Sequence, residues 1–250
     1  MKKTGKVYIK GAVLVETESF DDPSLGAISA RTVFEEERFL LAGVAKTLKA
    51  SGLAGSAAEE NAGFGIVLGV DTVVDGWKAG FFGEVVKDGP LGASPLIFPY
   101  TSPNALAARA TIAYNLKGDD ITIASGPLSF FKAISYGAML VGSGILEGVV
   151  VGGVAEGAVF TVFLSAESGE NCIKEVFEQR KGGDGLLPVS TMKESFGLFK
   201  DALKESSSQS RAVSLNVCDL AGNFIAITVA GALSGIDAPG HIGTGNLLEV

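Results

Sequence analysis

A short strand that runs directly into a helix is the feature that most limits how this sequence can fold. Residues Ile121, Thr122 and Ile123 form a β-branched run that is typical of a buried strand. After residues 125–127, apolar side chains recur at helical spacing as far as Val141. A strand that ends against a helix start leaves unpaired backbone N–H groups and a partial positive charge, so such elbows commonly hold nucleophiles and oxyanions.

The elbow between this strand and helix consists of Ser125, Gly126 and Pro127. Proline offers neither a nucleophilic side chain nor a backbone N–H, but its fixed φ suits the first turn of a helix. The sequence therefore predicts a helix start at Pro127, capped by Ser125 or Gly126. A serine nucleophile would need a positioned base, and the chain has one histidine, His241. Ser125 paired with His241 is thus a candidate catalytic pair, and a simple helix cap is the alternative.

Strand and helix patterns alternate along the first two thirds of the chain. Residues 7–15 alternate as in a strand, and Thr32 and Glu35 have the capping-box spacing that opens a helix. Ser51-Gly52 is a typical end signal for that helix. Further strands are predicted at 64–69, 148–156 and 158–165. Further helices are predicted at 73–86 and at 103–115. The aromatic residues of the first are expected in the core, and Pro103 is expected at the first position of the second. The order predicts an α/β fold in which helices cover a sheet.

The last third of the chain has weaker patterns. Residues 172–181 have no clear type, and a helix is predicted from Met192 to Glu205, ended by the polar residues 206–210. Residues 212–219 and 223–229 read as two strands around a tight turn, which predicts a β-hairpin. The glycine-rich segment from Gly231 gives no prediction.

Composition excludes several classes of protein. A net charge of −8 argues against nucleic-acid binding, because phosphates require a basic face. No apolar run reaches the length of a membrane span, and the first residues lack the apolar segment of a secretion signal, so a cytoplasmic protein is predicted. The two cysteines, Cys172 and Cys218, are too few for a disulfide framework and are expected to be reduced. Neither a metal-ligand cluster nor a phosphate loop is evident, so we predict no metal and no cofactor.

Five segments in order resemble the N-terminal half of β-ketoacyl synthases, which are acyl-condensing enzymes of the thiolase fold. They are residues 64–69, 98–104, 116–118, 148–156, similar to that family's "ADVMVAGGAE" strand, and 156–160, similar to its "EGAA" segment. The resemblance covers residues 60–165 well and residues 6–52 loosely. It implies a thiolase-like layered αβα fold, shortened in its C-terminal half, as one domain. Residues 1–166 would be the ketosynthase N-terminal-like half and residues 167–250 a reduced C-terminal half.

The resemblance also implies where a nucleophile should stand. Family members carry Thr-Ala-Cys at the elbow, and an ungapped count from Leu116 places the cysteine on Pro127. Pro127 cannot form a thioester, so the family's acyl acceptor is missing. The elbow and tunnel positions of the family fall on Ser125, Gly126, Pro127, Ser129, Phe130 and Phe131. The two adjacent phenylalanines stand where the family has smaller residues, which suggests a filled acyl tunnel.

The C-terminal half leaves two interpretations open. Gly240-His241 with the following glycines resembles the family's histidine loop, which would make His241 one of its two catalytic histidines and place Cys218 near the other. Residues 216–227 instead resemble the family's closing hairpin, and this interpretation is preferred because it fits the strand pattern. The segments that carry both histidines would then be missing.

The function implied is that of a non-condensing ketosynthase-like protein in fatty acid or polyketide metabolism, such as a chain-length-factor-like or scaffolding subunit. In the family the strand before the elbow pairs with its twin across the dimer axis, so Ile121, Thr122 and Ile123 would form a dimer strand. Expected partners are a second copy or a ketosynthase, and acyl carrier protein or acyl-CoA. The alternative is an acyl-transferring or decarboxylating enzyme that uses a substitute residue such as Ser125, with Ser129 and Lys132 nearby.

Overall fold

The computed structural model describes residues 5–16, 34–53, 55, 57–167, 169, 171–179, 186–209 and 211–231. Nine strands in these residues form one mixed sheet: β1 Val7–Glu16, β2 Gly65–Val70, β3 Asp120–Ile123, β4 Gly148–Ala155, β5 Ala158–Ser165, β6 Asn171–Gln179, β7 Leu187–Pro188, β8 Ala212–Cys218 and β9 Phe224–Gly231. Their spatial order is β3-β2-β4-β5-β1-β6-β9-β8-β7. Five helices accompany them: α1 Glu35–Ala50, α2 Val73–Asp88, α3 Ala105–Tyr114, α4 Ser129–Gly142 and α5 Met192–Gln209.

The strands of the first half follow from short apolar runs that are buried on both faces. Every residue of β2, β4 and β5 is buried, as expected for strands covered by helices on two sides. β2 pairs in parallel with β3 and β4, whereas β4 and β5 form an antiparallel hairpin. Gly157 turns this hairpin with φ +66°, a conformation that favours glycine.

Strand β1 joins the two halves of the sheet. Its first residues pair with β6 and the remainder pairs with β5, both antiparallel. The sheet continues antiparallel from β6 to β9 and then to β8. The predicted hairpin of the last third is confirmed as β8 and β9, with Gly222 in the turn at φ +80°. The segment without a predicted type, residues 172–181, contributes β6.

Helices cover the sheet in layers, as predicted. α1 and α3 pack on one face of β2, β4 and β5, and their apolar residues share one core with these strands. α4 and α5 pack on the opposite face, and the same two helices also contact β6, β8 or β9 of the second half. One core, which includes Phe130, Phe160, Phe196 and Ile227, therefore spans both halves of the described chain. The α/β layered arrangement is confirmed.

Several details differ from the sequence prediction. β3 was expected to be buried, but it is the last strand of the sheet and only half-buried. The aromatic residues of α2 were expected in the core, yet Val74 is the one buried residue of this helix. α5 does not end at Glu205 but continues to Gln209, because the buried Ser206 hydroxyl bonds to the side chain of Asn171 and to the helix backbone.

Three boundary predictions have a mixed outcome. α1 ends as predicted, with Gly52 at φ +79° and Leu53 N–H donating to Leu48 O. It begins at Glu35, one residue after Phe34, and Thr32 of the predicted capping box lies outside the described residues. α3 begins at Ala105, so Pro103 stands in the preceding turn and not at its first position.

Among the described residues, none of the helices combines the length and apolar character needed to cross a bilayer.

Candidate functional site

The elbow between β3 and α4 is built around one glycine. β3 ends at Ile123, Ser125 adopts φ −142° and ψ 37°, and Gly126 then takes φ +57°. This left-handed conformation favours glycine, and it redirects the chain into a short 3₁₀ turn, Gly126–Leu128. Pro127 lies at the start of that turn, and α4 follows from Ser129. The prediction that the proline occupies a first helical turn therefore agrees with the geometry.

The Ser129 hydroxyl connects the elbow to the end of β2. Its hydroxyl oxygen accepts a hydrogen bond from the Ser125 N–H at 2.7 Å. The hydroxyl group lies 2.8 Å from the Gly126 carbonyl oxygen and 3.2 Å from that of Val70, and its single proton can be donated to either. Ser129 is fully buried. Ser129 is thus a structural residue here, and neither the 3₁₀ turn nor α4 has the side-chain cap that the sequence assigned to Ser125 or Gly126.

The Ser125 side chain is paired with a lysine instead of capping the helix. Lys132 Nζ lies one helical turn into α4 and donates to Ser125 Oγ at 2.7 Å. The negative charge of Asp219, just beyond β8, also interacts with Lys132. Burial opposes the effect, but hydrogen bonds from Asn223 and Ala221 together with the Lys132 charge hold the pKa of the Asp219 carboxyl below its usual value. A protonated lysine is a hydrogen-bond donor only, so in this state it cannot remove the Ser125 proton.

The first turn of α5 closes the elbow from the other side. The Ser195 hydroxyl is fully buried and donates to the Pro127 carbonyl oxygen at 2.9 Å. This contact connects the elbow to an element 68 residues further along the chain. Sequence reasoning missed Ser195, because a serine inside a helix pattern gives no signal of a distant acceptor.

The closeness of β2 to the elbow depends on a second glycine. A Cβ atom added at Gly69 would lie 2.4 Å from the Ser129 carbonyl carbon and 2.6 Å from the Phe130 nitrogen. These are backbone atoms, so a larger residue at this position would push α4 away from the sheet. The position of the elbow therefore requires glycine at 69, which the strand pattern alone did not indicate.

Aromatic rings fill the interior beside the elbow. Phe130 packs against four other rings, with centroid distances of 5.7 Å to Phe131, 5.3 Å to Phe160, 5.1 Å to Phe196 and 5.5 Å to Phe199. Phe130 and Phe131 are fully buried. We call these five side chains the phenylalanine cluster. It packs α4 against β5 and α5 without relying on any polar group.

The remaining candidate residues are Cys218, the β3 residues and His241. His241 lies outside the described residues. Cys218 is a half-buried free thiol at the end of β8, where its carbonyl oxygen accepts from the Val189 N–H at 2.8 Å. Ile121, Thr122 and Ile123 lie on the edge strand β3. In the part of the chain that the structure describes, no three His, Cys, Asp or Glu side chains are grouped as metal ligands.

One family model matches most of the chain. The family model described as the beta-ketoacyl synthase N-terminal domain matches residues 1–175. No curated protein matches the chain.

Three solved structures illustrate the likeness of fold. The ishigamide ketosynthase/chain length factor is 15% identical, with a TM-score of 0.64 over 91% of this chain and 99% of that one. A beta-ketoacyl synthase from Burkholderia phymatum STM815 is 9% identical, with a TM-score of 0.69 over 92% of this chain and 100% of that one. A ketosynthase in complex with its chain length factor, from Xenorhabdus doucetiae, is 10% identical, with a TM-score of 0.67 over 91% and 98%. At these identities the likeness shows the thiolase-like fold.

Proposed function

The chain belongs to the beta-ketoacyl synthase N-terminal domain family, and from that premise we propose that it is a non-condensing, ketosynthase-like subunit of fatty acid or polyketide metabolism. Its role would be that of a chain-length-factor-like or scaffolding partner. We further propose that residues 1–166 and 167–250 act together as one reduced thiolase-like domain, which the core shared by the two halves supports.

The observation that carries this proposal is Pro127 at the start of the elbow turn. If this position corresponds to the family's acyl-accepting cysteine, the chain has no thiol there and no N–H to stabilise an oxyanion. The neighbouring polar groups are bonded within the chain, since Ser129 is tied to Ser125 and Gly126. The Pro127 carbonyl oxygen accepts from Ser195. These hydrogen bonds therefore stabilise the conformation of the elbow itself.

The phenylalanine cluster supports the same conclusion from the substrate side. An acyl chain that reached the elbow along α4 would need space where Phe130 and Phe131 are fully buried. Phe196 also approaches β4 closely, because a Cβ at Gly153 would lie 2.4 Å from its ring. Interiors packed in this way accept no extra chain without rearrangement.

Partner binding through β3 follows from the same premise. β3 is the terminal strand of the sheet, so the backbone groups on its outer side have no strand beside them among the described residues. We propose that Ile121, Thr122 and Ile123 pair across a two-fold or pseudo-two-fold axis with a second copy or with a ketosynthase subunit. Acyl carrier protein or acyl-CoA would bind to the assembled pair of subunits.

The test combines a search for an acyl adduct with a condensation assay. The purified protein is incubated with an acyl thioester and a malonyl thioester, and its intact mass and the products are measured. We expect no covalent adduct and no condensation product, together with co-purification of a ketosynthase from cells that express both. Condensation that disappears when a single elbow residue is changed would overturn the proposal.

One observation favours a second candidate, an acyl transferase that uses Ser125. The 2.7 Å contact between Lys132 Nζ and Ser125 Oγ would allow a neutral lysine to take the serine proton while Oγ attacks a thioester carbonyl. The leaving thiolate would then recover the proton from the lysine. In this case mass spectrometry finds an acyl group on Ser125 that is lost in Ser125→Ala and Lys132→Gln but retained in the exposed-serine control Ser102→Ala. We prefer the non-condensing function because Pro127 stands at the start of the elbow turn and the rings of Phe130 and Phe131 fill the interior beside it.

A further inference from the structure

A groove lies between β1 and α5, at the place where the sheet divides. β6 pairs with β1 only along residues 7–9, because β6 begins at Asn171. Beyond this point β1 pairs with β5 on one side, and no strand of the described chain lies on its other side. The backbone groups along that free edge, from Gly11 to Glu16, therefore face a space that one further strand would fill.

Two adjoining cavities make up this groove. The first has a volume of about 660 Å³ and is lined by residues that include Ile9 and Ser207. The second has a volume of about 260 Å³ and is lined by residues that include Glu16 and Lys193. Lys204 lines both cavities. α5 therefore runs along the groove in the direction opposite to β1.

The second cavity is positively charged, although the whole chain has a net charge of −8. Lys193, Lys200 and Lys204 line it, and spacings of seven and four residues place them on one face of α5. None of these three lysines forms an ion pair with another described residue. The carboxylates of Glu16 and Asp201 also line the cavity, so its lining carries one more positive charge than negative charges.

The end of β9 directs the chain towards this groove. Gly231 pairs with Asn171, which also pairs with Ile9, so β9 ends level with Ile9. A Cβ atom added at Gly231 would lie 2.6 Å from the Ser206 carbonyl oxygen, so β9 ends against the last turns of α5. β9 and β1 are both antiparallel to β6, and they therefore run in the same direction. A chain that continues beyond Gly231 in this direction follows β1 towards Glu16.

We propose that residues 232–238, which lie outside the described residues, bind in the groove as a strand parallel to the free edge of β1. They would take the position beside β1 that β6 occupies at residues 7–9, which requires a sideways shift of about 4.8 Å, one strand spacing, after Gly231. Strand pairing would then satisfy the backbone groups of β1 from Gly11 to Glu16.

The alternation of β9 assigns a role to two side chains of this segment. Ile227 and Val229 point into the core that includes α4 and α5, so continued alternation turns Leu233 and Asp237 to the same side. Asp237 is six residues beyond Gly231, which is about 20 Å in a strand.

The groove has a matching length along α5. Ser207 and Lys193 are 14 residues apart, which is about 21 Å in a helix. The Asp237 carboxylate therefore arrives beside Lys193 and Lys200, where it supplies the missing negative charge.

The sequence of residues 232–250 agrees with this placement. Its acidic residues are Asp237 and Glu249, and it contains neither lysine nor arginine, so its charge is opposite to that of the second cavity. Pro239 has no backbone N–H and cannot continue a paired strand, so pairing would end at about the level of Glu16, where β1 also ends. The inference does not depend on the proposed function.

Carbodiimide cross-linking, which joins a carboxylate to an adjacent amine as an amide, tests the placement in the unaltered chain. Isotope-labelled and unlabelled protein are mixed, treated and digested, and linked peptides are mapped by mass spectrometry. We expect links from Asp237 to Lys193 or Lys200 in which both peptides carry the same label, and none from Glu249. The surface pair of Lys10 and Glu167, 2.9 Å apart, is the positive control for the reagent.

Two results of this experiment would contradict the proposal. Links between a labelled and an unlabelled peptide would show that a second copy fills the groove. The absence of any Asp237 link, in a sample where Lys10 and Glu167 are joined, would leave the groove to a different partner. Either result would overturn the binding of residues 232–238 within their own chain.

Hydrogen exchange tests the strand pairing with matched variants. Asp237→Lys places a like charge beside the lysines, so the amides of residues 11–16 that point into the groove should exchange at least ~10-fold faster than in the unaltered protein. Glu249→Lys makes the same change of charge in the same segment and should leave their exchange unchanged. Adding Lys200→Glu to Asp237→Lys should restore slow exchange. Equal exchange rates in the two single variants would refute the pairing.

Discussion

Replacement of Phe130 by alanine tests whether the interior beside the elbow is filled as tightly as the structure indicates. Phe130 is fully buried and lies at the centre of the phenylalanine cluster, with four ring neighbours within 5.7 Å. The neighbours come from α4, β5 and α5, so they are held by separate elements of the fold. They cannot all move inwards to close the space that the missing ring would leave.

The expected loss of stability is large. A phenylalanine buries about 150–250 Å², which at roughly 25 cal/mol/Å² corresponds to about 4–6 kcal/mol. Measured Phe→Ala changes in cores cost about 3–5 kcal/mol, and a site that cannot collapse lies at the upper end. We therefore expect Phe130→Ala to lower the free energy of unfolding by about 5 kcal/mol. For a chain of this size, that corresponds to a decrease in Tm of roughly 10–20 °C.

Thermal and urea unfolding measure this loss, and a small apolar ligand reports the cavity. A dry cavity lined by phenylalanines should bind benzene, so benzene should raise the Tm of Phe130→Ala and leave that of the unaltered protein unchanged. Phe98→Ala is the control, because Phe98 is 62% exposed and its loss should cost less than ~1 kcal/mol. A loss below ~2 kcal/mol for Phe130→Ala, with no effect of benzene, would refute the tight packing and with it the argument that the acyl tunnel is filled.

Three further predictions concern the buried Glu37 carboxylate, the pKa of Tyr100 and two glycines in different surroundings. The buried Glu37 carboxylate accepts hydrogen bonds of 2.6 Å from Tyr100 OH and Arg109 Nε. A double-mutant cycle with Glu37→Gln and Tyr100→Phe, measured by urea unfolding, should therefore give a coupling energy of about 1.5–3 kcal/mol. Burial, followed by the Glu37 carboxylate, raises the pKa of Tyr100 from 10.0 to about 12. The stability that this shift contributes is complete below pH 10 and should be lost between pH 10 and 12. The free energy of unfolding should therefore decline more steeply over this range in the unaltered protein than in Tyr100→Phe. Gly69→Ala should lower the free energy of unfolding by about 1–3 kcal/mol, because the added Cβ meets the backbone of α4. Gly83→Ala should raise it by about 0.5–1 kcal/mol, because a Cβ at this position of α2 has no neighbour within 4 Å. Thermal denaturation should show a lower Tm for the first variant and a higher Tm for the second.

Periodicity and burial made most of the fold predictable from the sequence. β2, β4 and β5 are short apolar runs, and a strand buried on both faces needs little other information to be recognised. The α1 end at Ser51 and Gly52 and the turn at Gly222 depend on local backbone chemistry, which the sequence displays directly. The thiolase-like fold itself was inferred from five ordered segments, and both the family match and the solved structures confirm it.

The errors come from features that depend on distant parts of the chain. β3 has the composition of a buried strand, and its place at the edge is set by sheet order, which composition does not encode. The aromatic residues of α2 resemble core residues in sequence, and only the folded chain shows that Val74 is the one buried residue of this helix. Ser206 looked like a helix end, but its hydroxyl bonds to Asn171, which lies 35 residues earlier.

The candidate site was predicted in outline but not in its contacts. Pro127 in a first helical turn follows from the sequence, whereas the bonds of Ser129 to Ser125 and of Ser195 to Pro127 require the folded chain. The sequence placed Lys132 near Ser125, but their hydrogen bond also requires the folded chain, because Ser125 precedes the helix and Gly126 sets its direction. The predicted cytoplasmic location and the role of His241 stay predictions.

Under the proposed non-condensing function, the arrangement at the elbow implies that one substitution would not give the chain condensing activity. A cysteine in place of Pro127 would supply a thiol and a backbone N–H, yet Phe130 and Phe131 would still occupy the interior beside it. The turn would also remain tied to α5 through Ser195, which holds the Pro127 carbonyl oxygen in its present direction. Space and hydrogen bonding would both have to change with the nucleophile, so we expect Pro127→Cys alone to show no condensation of acyl and malonyl thioesters.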